Sequence, residues 1–272
     1  MNTNVLKVAT IVLMLLVATV GCEKVAETHK KIDSEINIRM MESSSRTLRL
    51  YFTTTKLYPM IGFPIDVLWQ QSSNNIDISF EGVIENEFGF AAIGPATAVI
   101  DLGTLSDGTY HLNFHNGNMK QSGRLIVSAD SYETNFQYNP NFHFINASLN
   151  KVPGNTIWVV TSYNEEQVLS SFLESFTNLG AVKKIYSHGY YSINIIYPYS
   201  YYQVFKIEKD GSVTYSPKEV TNTIVNWGGK FMQSFVFQYF GNTATIEQLV
   251  KQYKEQMEIK VYTDKGEQFT SW

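Results

Sequence analysis

The chain has 272 residues, with 25 acidic against 21 basic side chains and a formal net charge of −4. That balance, with no basic block anywhere, argues against a nucleic-acid surface, which needs Lys and Arg concentrated on one face. The single cysteine excludes an internal disulfide, and 17 tyrosines with 17 phenylalanines favour strands.

The chain opens on an address. Residues 1–7 end in Lys7, residues 8–20 are apolar apart from Thr10 and Thr19, and Gly21-Cys22 closes the run. Charged, apolar and small-residue segments in that order predict a secretory signal over residues 1–21. The apolar run is too short to cross a bilayer, which takes about 20 residues as a helix. A buried helix of a cytosolic protein is the bland alternative, but it would rarely sit with a lysine in front and Gly-Cys behind. The closing residues resemble a bacterial lipobox, in which the cysteine receives lipid and becomes the first residue of the mature protein. The resemblance implies lipidation of Cys22, a membrane contact through that lipid, and a place in the cell envelope, on the periplasmic or surface face of the outer membrane. Residues 22–45 are polar and charged and read as a flexible tether.

Residues 46–130 form the first folded block. Leu48, Leu50 and Phe52 alternate with polar or half-polar neighbours, as do Ile76, Ile78 and Phe80, and then Tyr110, Leu112 and Phe114. Period two predicts half-buried strands, and Asn116-Gly117 suits a tight turn. Short strands with no helix between them predict an antiparallel β-sandwich. The stretch Leu102-Gly-Thr-Leu105-Ser-Asp-Gly108-Thr-Tyr110-His-Leu112, followed by Gly123-Arg-Leu-Ile-Val, resembles the end of immunoglobulin-like modules in exported lipoproteins of the Bacteroidetes. Such modules act as spacers, binders or sorting tails, so the resemblance implies a fold and leaves function open.

Residues 131–155 read as a linker, bounded by turn chemistry at Asn139-Pro140 and Pro153-Gly154. Asn146-Ala147-Ser148 fits a glycosylation acceptor formally.

Residues 156–272 predict an α+β domain, loosely ferredoxin-like. Ile157 to Val160 is a buried strand. Asn164 and Gln167 suit a capping box, ahead of Val168, Leu169, Phe172, Leu173 and Phe176 at helical spacing. Thr245 and Gln248 suit a second box, ahead of Ile246, Leu249, Val250, Tyr253 and Met257. Residues 231–240 are apolar on both faces and suit either a central strand or a buried helix.

Marked chemistry is sparse. His111 and His115 would share a helical face, but on a strand they stand about 13 Å apart, too far to hold one ion. His143 and His188 have no ligand-like neighbours in sequence. Gly228-Gly229-Lys230 lacks the spacing of a phosphate loop. Glu85 and Glu87 read as a solvated strand edge. No metal or cofactor is expected. The most suggestive feature is aromatic: Tyr190, Tyr191, Tyr197, Tyr199, Tyr201 and Tyr202, interrupted by Pro198, cannot all face a core. Exposed rings suit sugar stacking or protein contact. The sequence therefore predicts a non-enzymatic, lipid-anchored recognition protein for a glycan, peptide or envelope protein. A structural component of a surface complex or fimbria, and an envelope hydrolase with dispersed residues, are the rival expectations.

Overall fold

A computed structural model describes residues 29–59, 62–84, 92–195, 201–215 and 228–271. The first strands are β1 (His29–Lys30), β2 (Ile36–Glu42), β3 (Leu48–Tyr58), β4 (Ile65–Ser72), β5 (Asn75–Ile84) and β6 (Gly94–Asp101). β7 (Gly108–Asn116), β8 (Met119–Val127), β9 (Ser131–Phe136), β10 (Phe142–Phe144) and β11 (Ser148–Asn150) follow. Then come β12 (Thr156–Tyr163), α1 (Glu166–Asn178), β13 (Val182–Lys183), β14 (Gly189–Ile195), β15 (Tyr201–Ile207) and β16 (Val213–Tyr215). β17 (Phe231–Gln238), α2 (Thr243–Gln252), β18 (Glu258–Thr263) and β19 (Gln268–Thr270) complete the described chain, which is predominantly β.

Three sheets result. A four-stranded sheet runs β10-β2-β3-β6. A ten-stranded sheet runs β1-β5-β7-β8-β9-β11-β14-β15-β16, with β4 on the outer side of β5. A five-stranded sheet runs β13-β17-β12-β18-β19. The first two pack face to face over Ile36, Ile38, Phe52, Phe80, Leu112, Phe114 and Leu125. Rings meet edge to face there, Phe52 and Phe80 at 5.0 Å between centroids.

The long sheet changes sides as it crosses the molecule. Over β4 to β11 its buried face meets the four-stranded sheet. In β14, Tyr191, Ile193 and Ile195 join a different core with Trp158, Val160 and Val236 of the five-stranded sheet, while Tyr190 packs toward the first core. Alternation along one strand thus serves two cores, one on each face. Both helices cover the other side of the five-stranded sheet, through Leu169, Phe172 and Phe176 of α1 and Ile246, Leu249 and Val250 of α2. Each such side chain contributes about 1.5–3 kcal/mol by leaving water. β12, covered on both faces, is buried at all 8 positions.

The structure departs from the sequence expectations in five places. Residues 36–42, placed in the tether, form β2, because Ile36, Ile38 and Met40 alternate into the core and the strand pairs with β3 from Ile36↔Thr54 to Glu42↔Leu48. Residues 131–155, read as a linker, supply β9, β10 and β11, each anchored by a buried residue: Tyr132, Phe142 and Leu149. The sandwich expectation was wholly antiparallel, yet β5 runs parallel to β7 and β10 parallel to β2. After β5 the chain crosses to the other sheet for β6 and returns, which gives β7 the direction of β5. Asn164 does not cap α1: its Oδ1 accepts from the Lys230 N–H at 3.1 Å, and Glu165 precedes the helix with no side-chain cap. The cap of α2 is Asn242, accepting from the Ala244 N–H at 2.9 Å, while the Thr245 hydroxyl turns to Asn242 O.

Two open expectations resolve. β17 is the strand between β13 and β12, not a helix. Asn146 is 1 % exposed, and its carboxamide accepts from Met40 N–H at 2.9 Å and donates to Met40 O at 3.0 Å. That side chain extends the edge pairing of β2 and is closed to a glycan.

Candidate functional site

A cavity of about 350 Å³ opens where the end of β2, the β8–β9 turn and the approach to β12 converge. Its size lies at the low end of small-molecule sites.

Glu42 forms one wall. The alternation of Ile36, Ile38 and Met40 carries it inward, where it is 2 % exposed. Its Oε2 accepts from the Val152 N–H at 3.1 Å and from Arg46 Nη1 at 3.1 Å. Its own N–H donates to Ser192 Oγ of β14 at 2.8 Å. Burial raises the carboxyl above its ordinary pKa, against the opposing pull of Val152 N–H and Arg46.

Arg46 sits in the turn between β2 and β3 with φ +63°, a left-handed conformation that costs an L-residue about 1–2 kcal/mol. The turn is held by Arg46 N–H to Ser43 O at 3.0 Å and Ser43 N–H to Thr47 O at 2.9 Å. The left-handed residue aims the guanidinium across the junction. There it donates to Glu42 and to Val152 O and lies 3.5 Å from Asp264 Oδ2. Asp264, in the β18–β19 turn, also accepts from the Asn155 N–H at 3.1 Å, and burial raises its pKa. One arginine therefore joins the first sheet, the approach to β12 and the C-terminal turn.

Tyr132 and Lys151 line the cavity next to them. The ammonium stands 4.8 Å from the centroid of the phenol ring and 4.0 Å from Asp107 Oδ1, and it donates to Ser128 O. Burial, and next the charge of Glu42, push the Tyr132 phenol far above its usual range. Thr104 and Asp130 add polar lining, while Leu105 and Pro153 add apolar lining. Glu42 and Asp130 balance Arg46 and Lys151, so the cavity carries paired charges of both signs with little net preference.

Comparisons with protein-family models, curated proteins and solved structures found no match.

The residues singled out from the sequence fall elsewhere. Cys22, Glu85, Glu87, Tyr197 and Tyr199 lie outside the described residues, as does the side chain of Tyr201 in β15. Tyr191 is 3 % exposed and stacks on Phe205 at 5.1 Å; burial raises its phenol to about 12. Tyr190 is half-buried beneath Lys206, whose ammonium is 5.6 Å from its ring. Tyr202 is half-buried beside Arg49, its pKa raised by burial. These three rings do not form one exposed patch, because neighbours in a strand point to opposite faces.

His111 and His115 point outward from β7, His115 Nε2 lying 3.9 Å from Asp77. His143 is exposed on β10, and His188 Nδ1 lies 2.7 Å from Ile207 O. Among the described residues no three His, Cys, Asp or Glu side chains gather as a metal site. The backbone N–H groups of Gly228, Gly229 and Lys230 donate to Glu258, Ser162 and Asn164, so a phosphate would find all three engaged.

Sequence reasoning missed Glu42, Arg46, Tyr132, Lys151 and Asp264. One signal was present: a strict alternation through Ile36, Ile38 and Met40 puts Glu42 on the core face, and a buried carboxylate needs a cation.

Proposed function

We propose that this chain is a lipid-anchored cell-envelope protein that recognises a neutral, polyhydroxylated ligand, a glycan unit, in the junction cavity. The observation that carries the reading is the charge-balanced lining. Asp130 offers acceptors, Arg46 and Lys151 offer donors, Thr104 offers a hydroxyl, Leu105 and Pro153 offer apolar contact, and the buried Glu42 offsets the second cation from behind. A strongly anionic or cationic ligand would gain at one pair and lose at the other, whereas a sugar can address both. Lipidation at Cys22 would hold the site near an envelope bilayer, each buried CH₂ adding about 0.8 kcal/mol. On this reading residues 46–130 belong to the immunoglobulin-like modules they resemble, with β2 and β9 added, and the C-terminal part is an α+β unit; the face-to-face sheets and the helices on one face of the five-stranded sheet support it. Tyr191 then serves as packing, consistent with its burial.

Retention on a glycan array tests the reading. The full-length protein is expected to retain a defined set of saccharides, and Lys151→Ala is expected to lose them while the circular dichroism spectrum is kept. Retention of none, or retention unchanged in Lys151→Ala, overturns it.

A second reading, an envelope hydrolase, is favoured by one observation: a carboxyl with a raised pKa beside a second carboxylate in one cavity. It ranks lower because Glu42 Oε2 is held by Val152 and Arg46 and Oε1 is closed to solvent. Release of reducing ends by the wild type, abolished in Glu42→Gln, would promote it.

A further inference from the structure

The outer strand of the long sheet, β4, differs from every other sheet edge among the described residues. β10, β16 and β19 are 3 residues each, and β13 is 2 residues with Lys183 in it. β6 is 8 residues but carries Pro95. Short edges, lysines and prolines are the usual defences against edge-to-edge pairing. β4 has 8 residues, Ile-Asp-Val-Leu-Trp-Gln-Gln-Ser, with neither lysine nor proline. β5 occupies one side of it, and β6 approaches the other side only at its start, through the Pro64↔Thr97 bridge. Beyond that point Leu68 is 59 % and Trp69 39 % exposed.

We infer that β4 is an interface for a second copy of this chain, the two strands pairing antiparallel about a two-fold axis at Leu68. The register is what selects this partner. Ile65 and Val67 face the core, so Trp69 lies on that side too, while Asp66, Leu68 and Gln70 face outward. Antiparallel partners must share a face, which leaves only registers that put like-facing residues opposite one another. Centring on Leu68 sets it against Leu68 of the partner subunit, Val67 against the partner's Trp69, and Asp66 against the partner's Gln70. Apolar meets apolar and a carboxylate meets an amide. Centring on Trp69 instead sets Leu68 against the partner's Gln70 and Val67 against the partner's Gln71, which wastes both aliphatic side chains. The strand is complementary to itself in one register, as an isologous contact requires. A shallow concavity of about 260 Å³ lies beside this strand, over its pairing with β5, lined by Leu68, Gln70, Asp77 and Ser79.

Register-specific cross-linking of the full-length chain tests this. Directly opposed residues in an antiparallel pair have Cα atoms about 4.5–5.5 Å apart, within disulfide range, whereas diagonal neighbours lie about 7–8 Å apart. Leu68→Cys is expected to form a disulfide-linked dimer on non-reducing gels, and Trp69→Cys, Leu57→Cys and the wild type are not. Sedimentation velocity in detergent is expected to show a dimer for the wild type and a monomer for Leu68→Lys, which opposes two like charges on the axis. Leu68 is exposed, so the lysine variant should keep its melting temperature; should it unfold, the cysteine series decides alone. A monomeric wild type, or cross-linking of Trp69→Cys or Leu57→Cys equal to that of Leu68→Cys, overturns the inference. The first result would also be the one expected if a foreign strand were the occupant.

Discussion

Arg46 and Asp264 are 218 residues apart in the chain and 3.5 Å apart in the fold, Nη2 to Oδ2. The same guanidinium holds Glu42, so a single side chain bridges a buried acid and a part-buried one from distant parts of the chain. The shared ten-stranded sheet joins the two parts through β11 and β14, and Arg46 pins them on the flank where the cavity opens.

Removing that cation should cost stability. Arg46→Ala leaves Glu42 buried with one fewer donor, an expected loss of about 1–3 kcal/mol, tempered because the arginine side chain is 37 % exposed. Arg46→Gly loses the same charge but tolerates φ +63°, and should lie up to about 1 kcal/mol above the alanine variant. Urea unfolding of the three proteins measures both steps; equal stability of the two variants would contradict the strained turn.

Acid dependence follows from the raised carboxyls. Glu42 and Asp264 bind a proton more tightly folded than unfolded, because burial disfavours their charge. Their stabilising contribution is therefore complete below the unfolded value of about 4 and is lost as pH rises through the raised folded value. In a pH series, the stability of wild type relative to Glu42→Gln should be greatest at the acid end and decline toward neutrality. A difference that grows with pH would mean that the carboxylate is stabilised in the fold.

Gly229 and Gly154 make a matched pair. A Cβ on Gly229 would meet Ser162 Oγ at 2.3 Å and Tyr163 N at 2.5 Å, backbone that cannot give way, whereas one on Gly154 meets nothing within 4 Å. Gly229→Ala should lose about 1–3 kcal/mol by overpacking. Gly154→Ala should be neutral or gain about 0.4–1 kcal/mol from the unfolded state. Thermal melts of the two variants suffice.

Tyr191 distinguishes packing from recognition. It is 3 % exposed and stacked on Phe205, so Tyr191→Ala should cost about 3–5 kcal/mol, as core aromatic truncations do. Retention of full stability with loss of ligand would return this ring to the binding surface.

What could be read in the sequence follows the reach of local pattern. The helical faces Leu169-Phe172-Phe176 and Ile246-Leu249-Val250 and the alternation of Tyr110, Leu112 and Phe114 are set by neighbours a few residues away, and they stand as expected. β9, β10 and β11 were illegible because 3 to 6 residues with one buried anchor carry no period. The long sheet's change of side was also hidden. Nothing local tells Tyr190 from Tyr191, yet one packs toward the first core and the other lies in a second. The cavity was the least legible part, since Glu42, Tyr132, Lys151 and Asp264 meet only through pairings that span the chain. A lone acid at a core position of β2 was its sole local trace.

Hydrogen exchange of the full-length protein, with and without a saccharide retained on the array, tests the central claim most directly. A ligand in the junction cavity should slow exchange in the turn after β2 and in the approach to β12, at residues 42–47 and 150–155, and leave the β14–β15 hairpin unchanged. Protection confined to that hairpin, or none at either cavity wall, would contradict the account.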